Sequence, residues 1–288
     1  MYIIENEFLR VEINPSGAEL QSVIDKKNKI ELLWNGDPAF WSRRAPLLFP
    51  IVGKLRGNTM NYLGKQYQMS QHGLVRDMAF LPKAMTEKSI ALSCTSNSET
   101  SLVYPFEWKL VCKYELENHQ LKVSTIVTNT SVHDDMYFSI GYHPAFKVPI
   151  DDKLNFEDYY LEFNGDMDAM KWKIVDALID KPDGQGLYNS KIPITKETFL
   201  HDALVFKGLK SNVVTLRSDK SDILLKFTFD NYPYLGIWSK PGAGFVCIEP
   251  WHGIADSTDH DGDFTQKEGI LKLEHSSSFE CGYTIEIS

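Results

Sequence analysis

Three short segments hold the residues best suited to chemistry: Gln71-His72-Gly73, Gly141-Tyr142-His143-Pro144 and Ile248-Glu249-Pro250-Trp251. Each sets one ionisable side chain at the end of an extended apolar run, with a turn-former directly after it. Two imidazoles and a carboxylate so far apart in the chain meet only if a large β-fold brings three strand ends together. Such a trio can supply a proton donor, a base and a charge stabiliser to one substrate. That is the equipment of general acid–base catalysis.

Each residue has a structural reading beside the chemical one. A lone histidine is commonly a hydrogen-bonded structural group, but two in matching strand-end contexts favour a site built on a rigid sheet. Gly73 removes bulk beside His72, and Pro144 imposes extended geometry on His143 and ends pairing there. Glu249 interrupts the apolar run Gly244-Phe245-Val246-Cys247-Ile248. A carboxylate in such a run is paired with a cation or serves as a base tuned by its surroundings. Asp202, in Phe199-Leu200-His201-Asp202-Ala203-Leu204-Val205-Phe206, reads as another acid in an apolar strand, either a turn aspartate or a substrate ligand.

Among the cations Arg43, Arg44, Lys54, Arg56 and Arg76, the sequence points to Arg44 and Arg76 as the ones facing a site. Trp34, Phe40, Trp41 and Tyr67 read as core. Trp238 and Trp251 flank the Glu249 strand and offer aromatic faces to a sugar ring. His252, Asp256 and His260 have helical spacing, but their segment is turn-rich, so no metal site is expected. No GxSxG elbow, strand-linked GxGxxG or P-loop occurs.

The elements that must position these residues are strands. Phe8–Ile13, Leu121–Val127, Ile223–Phe229 and Tyr283–Ile287 alternate as half-buried strands do, with turn clusters every ten residues or so. One short helical turn is expected at Pro38–Trp41, capped by Asp37. The segment 180–200 reads as a long polar excursion between strands. The pattern predicts an all-β fold, a large antiparallel β-sandwich or barrel.

Composition narrows the partners. A formal net charge of −9 over 288 residues argues against nucleic acid, which requires a basic footprint. No basic amphipathic stretch or long apolar run points to a membrane. Neither a signal peptide nor a CxxC pair is visible among Cys94, Cys112, Cys247 and Cys281, so a soluble cytoplasmic protein is expected.

Taken together, the chain resembles the aldose 1-epimerase (galactose mutarotase) family, in particular its compact bacterial branch associated with lactose operons. The matching stretches are Gln71-His72-Gly73, Gly141–Phe146, Pro233–Trp238, and Cys247–Trp251 with Gly253 and Asp256. The resemblance spans residues 1–288 as a single domain and implies a supersandwich. It implies interconversion of the α and β anomers of a free aldose, with no cofactor. Glu249 would be the base at the C1 hydroxyl, His143 the acid at the ring oxygen, and His72 its positioning partner. Asp202 matches an aspartate that binds sugar hydroxyls. Many members carry Asn-Arg before the first histidine; here Gly53-Lys54-Leu55-Arg56-Gly57 stands there, with Lys54 in the cationic role.

Three alternatives stay open at this level. Glycoside hydrolysis would pair Glu249 with Asp202 or Asp256. A hexose-phosphate mutarotase would use Arg44 and Arg76 on the phosphate, against the acidic balance. A non-catalytic carbohydrate-binding or regulatory protein would keep the pocket without the chemistry.

Overall fold

Alternating apolar residues become strands almost everywhere in the computed structural model, which describes Met1–Ser288. A nine-stranded sheet is centred on Ser278–Ile287, Gln120–Asn129 and Trp108–Glu117. An eight-stranded sheet runs from Leu178–Gln185 through Met170–Val175, Leu204–Lys207, Tyr234–Trp238 and Phe245–His252 to Ile140–Tyr142 and Leu47–Leu48. Ala145–Lys147 also pairs with Phe245–His252. A four-stranded sheet opens the chain. The ladders of both large sheets are antiparallel. The protein is therefore an all-β antiparallel sandwich, as its patterning predicts.

Aromatic pairs join the two large sheets. Phe146 meets Phe227 at 5.6 Å between centroids, and Tyr142 meets Tyr283 at 4.9 Å. Phe49 lies against Trp108 at 5.2 Å. Each such side chain, fully buried, contributes about 1.5–3 kcal/mol of transfer free energy. The period of two then sends alternate residues to the other face. Val246 and Ile248 enter this core, while Phe245, Cys247 and Trp251 belong to apolar clusters on the opposite side. That outer face carries the site.

Some local expectations change. Asp37 caps a single turn, accepting from the Phe40 and Trp41 N–H groups, but no helix forms. The polar stretch 180–200 is not one excursion: Leu178–Gln185 and Lys191–Pro193 are strands. Register shifts against Met170–Val175 let the first of these absorb Pro182. All four cysteines are free and buried. No helix is long and apolar enough to cross a membrane.

Candidate active site

One row of the eight-stranded sheet builds the centre. Val205 pairs with Gly236, and Gly236 with Glu249. Beyond Glu249 the ladder is interrupted at His143-Pro144, but its register is continuous: Gly141 faces Trp251 and Ala145 faces Cys247. That register sets His143 directly across from Glu249. The catalytic candidates are thus cross-strand neighbours on one face. Tyr142, next to His143, points the other way and donates its hydroxyl to the Cys281 carbonyl at 3.1 Å.

Glu249 does not end its strand, as its sequence context suggested; pairing continues through Pro250 to His252. The Ile248 N–H reaches the Pro144 carbonyl at 3.3 Å, so the N–H that Pro250 lacks would face the same, interrupted side. A proline there costs little. The Trp251 ring lies over the neighbouring strands, and only glycine fits beneath it. A Cβ on Gly236 would meet the ring at 2.4 Å, and one on Gly141 at 2.6 Å.

His143 Nε2 stands 3.2 Å from Glu249 Oε2. Glu249 is 2% exposed and His143 8%. Burial pushes the Glu249 carboxyl well above the usual range, and the Asp202 charge adds to this. The Trp251 indole N–H opposes it without closing a well-aligned hydrogen bond. Burial holds the His143 imidazole well below its ordinary value. Both shifts favour neutral groups, so the pair holds one shared proton. His143 Nδ1 has no partner. Its ring is instead covered by Trp41, with centroids 4.8 Å apart and planes at 29°. Trp41, which reads as core in the sequence, is therefore part of the site. The Trp34 indole N–H fixes it by donating to the Trp41 carbonyl at 2.8 Å.

His72 arrives on a tight turn and not at a strand end. Its φ is +65°, and two bonds to Gly53 bracket it: the His72 N–H donates at 2.8 Å, and Nδ1 accepts the Gly53 N–H at 3.1 Å. With Nδ1 accepting, the neutral ring carries its proton on Nε2. Enclosure, with Arg76 and Arg43 nearby, pushes its pKa down to about 3. His72 is thus a neutral donor, its centroid 5.7 Å from that of His143.

These groups line a cavity of about 330 Å³. Trp41 and Trp238 form one wall, and His72, Gln71 and Arg76 another. The hairpin joining Met170–Val175 to Leu178–Gln185 supplies Ile174, Ala177 and Ile179. Asp202 also lines it, from an exposed turn at φ +83° before Leu204–Lys207, not from within a strand. One Asp202 oxygen accepts the Ala203 N–H at 2.8 Å. Arg76 donates to the Gln71 carbonyl at 2.9 Å and leaves its Nε without a partner.

Two expected cations lie outside this lining. The Arg44 guanidinium donates to the Gln21 carbonyl, and the Arg44 main-chain N–H donates to Glu19 Oε1 at 2.7 Å, so the residue ties the loop to a strand. Lys54 reaches over to the Asp176 carbonyl at 3.2 Å and latches the hairpin turn. Asp256 is also outside, occupied by the Arg56 N–H at 2.8 Å and the Lys267 ammonium at 3.1 Å. That removes it as a second hydrolytic carboxylate.

The donor atoms of His143, Cys247 and Glu249 lie within 4.8 Å of one another. Burial and Glu249 hold the Cys247 thiol well above its ordinary pKa, whereas metal ligation requires the thiolate. His252 does not join Asp256 and His260; its ring packs between Tyr232 and Phe279.

Known proteins share both the sequence and this architecture. The protein LacX (plasmid) of Lactococcus lactis subsp. lactis is 32% identical over 294 aligned positions, covering 99% of this chain and 98% of that one. A galactose mutarotase related enzyme from Lactobacillus acidophilus superposes with a TM-score of 0.94 at 36% identity, covering 100% and 97% of the two chains. A galactose mutarotase-like protein from Lactobacillus casei gives 0.93 at 30% identity, with both chains fully covered. The family model described as aldose 1-epimerase matches residues 1–272. With its sheets, its cross-strand acid–base pair and these relatives, the chain belongs to the aldose 1-epimerase family.

Proposed function

We propose that the protein is a mutarotase that interconverts the α and β anomers of a free aldose. The observation that carries this reading is the His143–Glu249 contact of 3.2 Å facing a cavity of small-molecule size. His143 and Glu249 stand side by side, with Nε2 and Oε2 3.2 Å apart. That suits a hemiacetal, because the C1 hydroxyl oxygen and the ring oxygen are both bonded to C1 and so are neighbours.

In the reacting form Glu249 is a carboxylate and His143 an imidazolium. Glu249 takes the proton from the C1 hydroxyl as His143 delivers one to the ring oxygen. The bond from C1 to the ring oxygen breaks and the C1 carbonyl forms. The pair is then neutral, the state its burial favours, so the open-chain aldehyde is not opposed by stranded charge. Rotation about C1–C2 followed by the reverse transfers closes the other anomer. Each proton transfer contributes roughly 10²–10⁴-fold. His72 Nε2–H supplies a fixed donor, and Arg76 and Asp202 supply hydrogen-bonding groups to sugar hydroxyls.

The test follows the approach to anomeric equilibrium of freshly dissolved α-glucose and α-galactose, by polarimetry or NMR. Catalysed exchange well above the buffer rate is expected. Sugar binding without acceleration would make the protein a carbohydrate-binding member and end the enzymatic reading.

A further inference from the structure

Trp251 carries a buried donor with nothing to donate to. The residue is 7% exposed, and its indole Nε1 has no hydrogen-bond partner. Such a group is rare in a folded protein and calls for an acceptor supplied in another state of the site. The ring cannot swing away to find one. A Cβ on Gly236 would meet it at 2.4 Å and one on Gly141 at 2.6 Å, and it belongs to the apolar cluster of Leu48, Val52 and Ile254.

Position singles out the acceptor. Trp251 follows Glu249 by two residues on one strand, so both side chains leave the sheet on the same face. Both line the reaction cavity. The other groups facing Glu249 are His143 at 3.2 Å, Asp202 in the cavity wall and the Cys247 thiol from its own strand. His72 and Arg76 act in turn on His143. Burial and Asp202 both disfavour a charge on Glu249, and the Trp251 N–H acts against them.

We propose that Trp251 is a positioning residue whose indole N–H binds Glu249 when Glu249 is a carboxylate and His143 carries the proton. The inference rests on the mutarotase reading, in which that ion pair is the reacting form. A charged oxygen accepts more strongly than an uncharged one, so the donor favours the form that starts ring opening and loosens once Glu249 has taken the C1 proton. The edge of Trp251 thus does for the carboxylate what the face of Trp41 does for the imidazolium.

Replacing Trp251 with benzothienylalanine tests this, because sulfur then stands where the indole has N–H and the ring shape is kept. For α-glucose or α-galactose, kcat should fall roughly 10- to 100-fold, the scale of a hydrogen bond to a charged group, with KM within about twofold of wild type. The alkaline limb should rise by about one to two pH units, one for each tenfold lost in carboxylate stability. The acid limb should stay in place, since Glu249 is protonated on both sides of it; a merely structural change would not separate the limbs. Carboxyl NMR of isotope-labelled glutamate should show the same upward shift in the sugar-free protein, and Trp251→Phe should shift it in the same direction. An unmoved alkaline limb and carboxyl titration overturn the proposal. So does a raised KM at unchanged kcat, which gives the N–H to a sugar hydroxyl instead. If the wild-type protein accelerates no sugar, the mutarotase reading falls, and the carboxyl titration alone decides whether Trp251 holds the carboxylate.

Discussion

Asp256–Lys267 and Glu249–His143 are both acid–base pairs removed from water, and they differ in how completely they are coordinated. Asp256 is 1% exposed and Lys267 3%. One carboxylate oxygen accepts the Arg56 N–H, the other lies 3.1 Å from the Lys267 ammonium as an ion pair, and the ammonium donates to the Ile254 carbonyl. The Asp256 main chain adds bonds of 2.9 Å to Lys54 and Ile179, joining the loop behind His72 to the hairpin over the cavity. Glu249 and His143 have little beyond each other. No backbone N–H serves the carboxylate, and Nδ1 is orphaned. Coordinated charge fixes structure; charge left short of partners can exchange protons with a ligand.

The sharpest break should come at the coordinated pair. Lys267→Met leaves a buried carboxylate unpaired and should cost about 3–5 kcal/mol of stability, read from urea unfolding. Glu249→Gln is the converse. Its turnover should drop at least about a hundredfold, the low end for a lost general base. Its unfolding midpoint should stay near wild type, and calorimetry should find sugar still bound. If Glu249→Gln unfolds as easily as Lys267→Met, the two pairs do not differ and the contrast fails.

The pH profile sharpens the same point. The proposed reaction requires one proton on the Glu249–His143 pair. A second proton must go onto His143, whose pKa is held below its ordinary value, so the acid limb should lie below the usual imidazole range. The last proton leaves as Glu249 ionises, and its pKa is raised, so activity should fall as pH rises through a value well above that of a free carboxylate. Glu249→Gln should lack this alkaline limb.

Trp41 tests what replaces the missing partner of His143. An indole face stabilises a cation by about 0.5–2 kcal/mol, so Trp41→Leu should lower kcat roughly 3- to 30-fold and move the acid limb further down. Trp41→Phe should restore much of both. Unchanged limbs in Trp41→Leu would reduce the ring to a spacer.

The smallest effects repeat the contrast among arginines. The Arg44 guanidinium is spent on the Gln21 carbonyl outside the cavity, whereas the Arg76 side chain lines it. Arg76→Ala should raise KM roughly 2- to 10-fold, the scale of one hydrogen bond. Arg44→Ala should leave KM alone and lower stability. A reversed result would place the wrong cation in the pocket.

Much of this was legible in residue order. A carboxylate in the run Phe245–Ile248, and histidines beside Gly73 and Pro144, stood out because burial and backbone rules make such placements rare. Alternation located the strands, since a period of two survives without tertiary context. Trp41 could not be recognised this way, because an aromatic beside a turn looks the same whether it fills a core or covers an imidazole. Arg44 and Lys54 were equally opaque: a long side chain reaches several carbonyls, and only the packed chain decides which.

The sequence alone determined the kind of fold, the family resemblance and the types of acid and base available, because these depend on periodicity and on residues that burial seldom tolerates. It left open that His143 and Glu249 would be cross-strand partners in mid-sheet, and not residues at converging strand ends. That was decided by register, which runs unbroken from Gly141–Trp251 to Ala145–Cys247 across a gap that Pro144 creates. Register is a property of two distant segments together. A slip of one residue would turn Glu249 into the core, and nothing local to either strand prevents it.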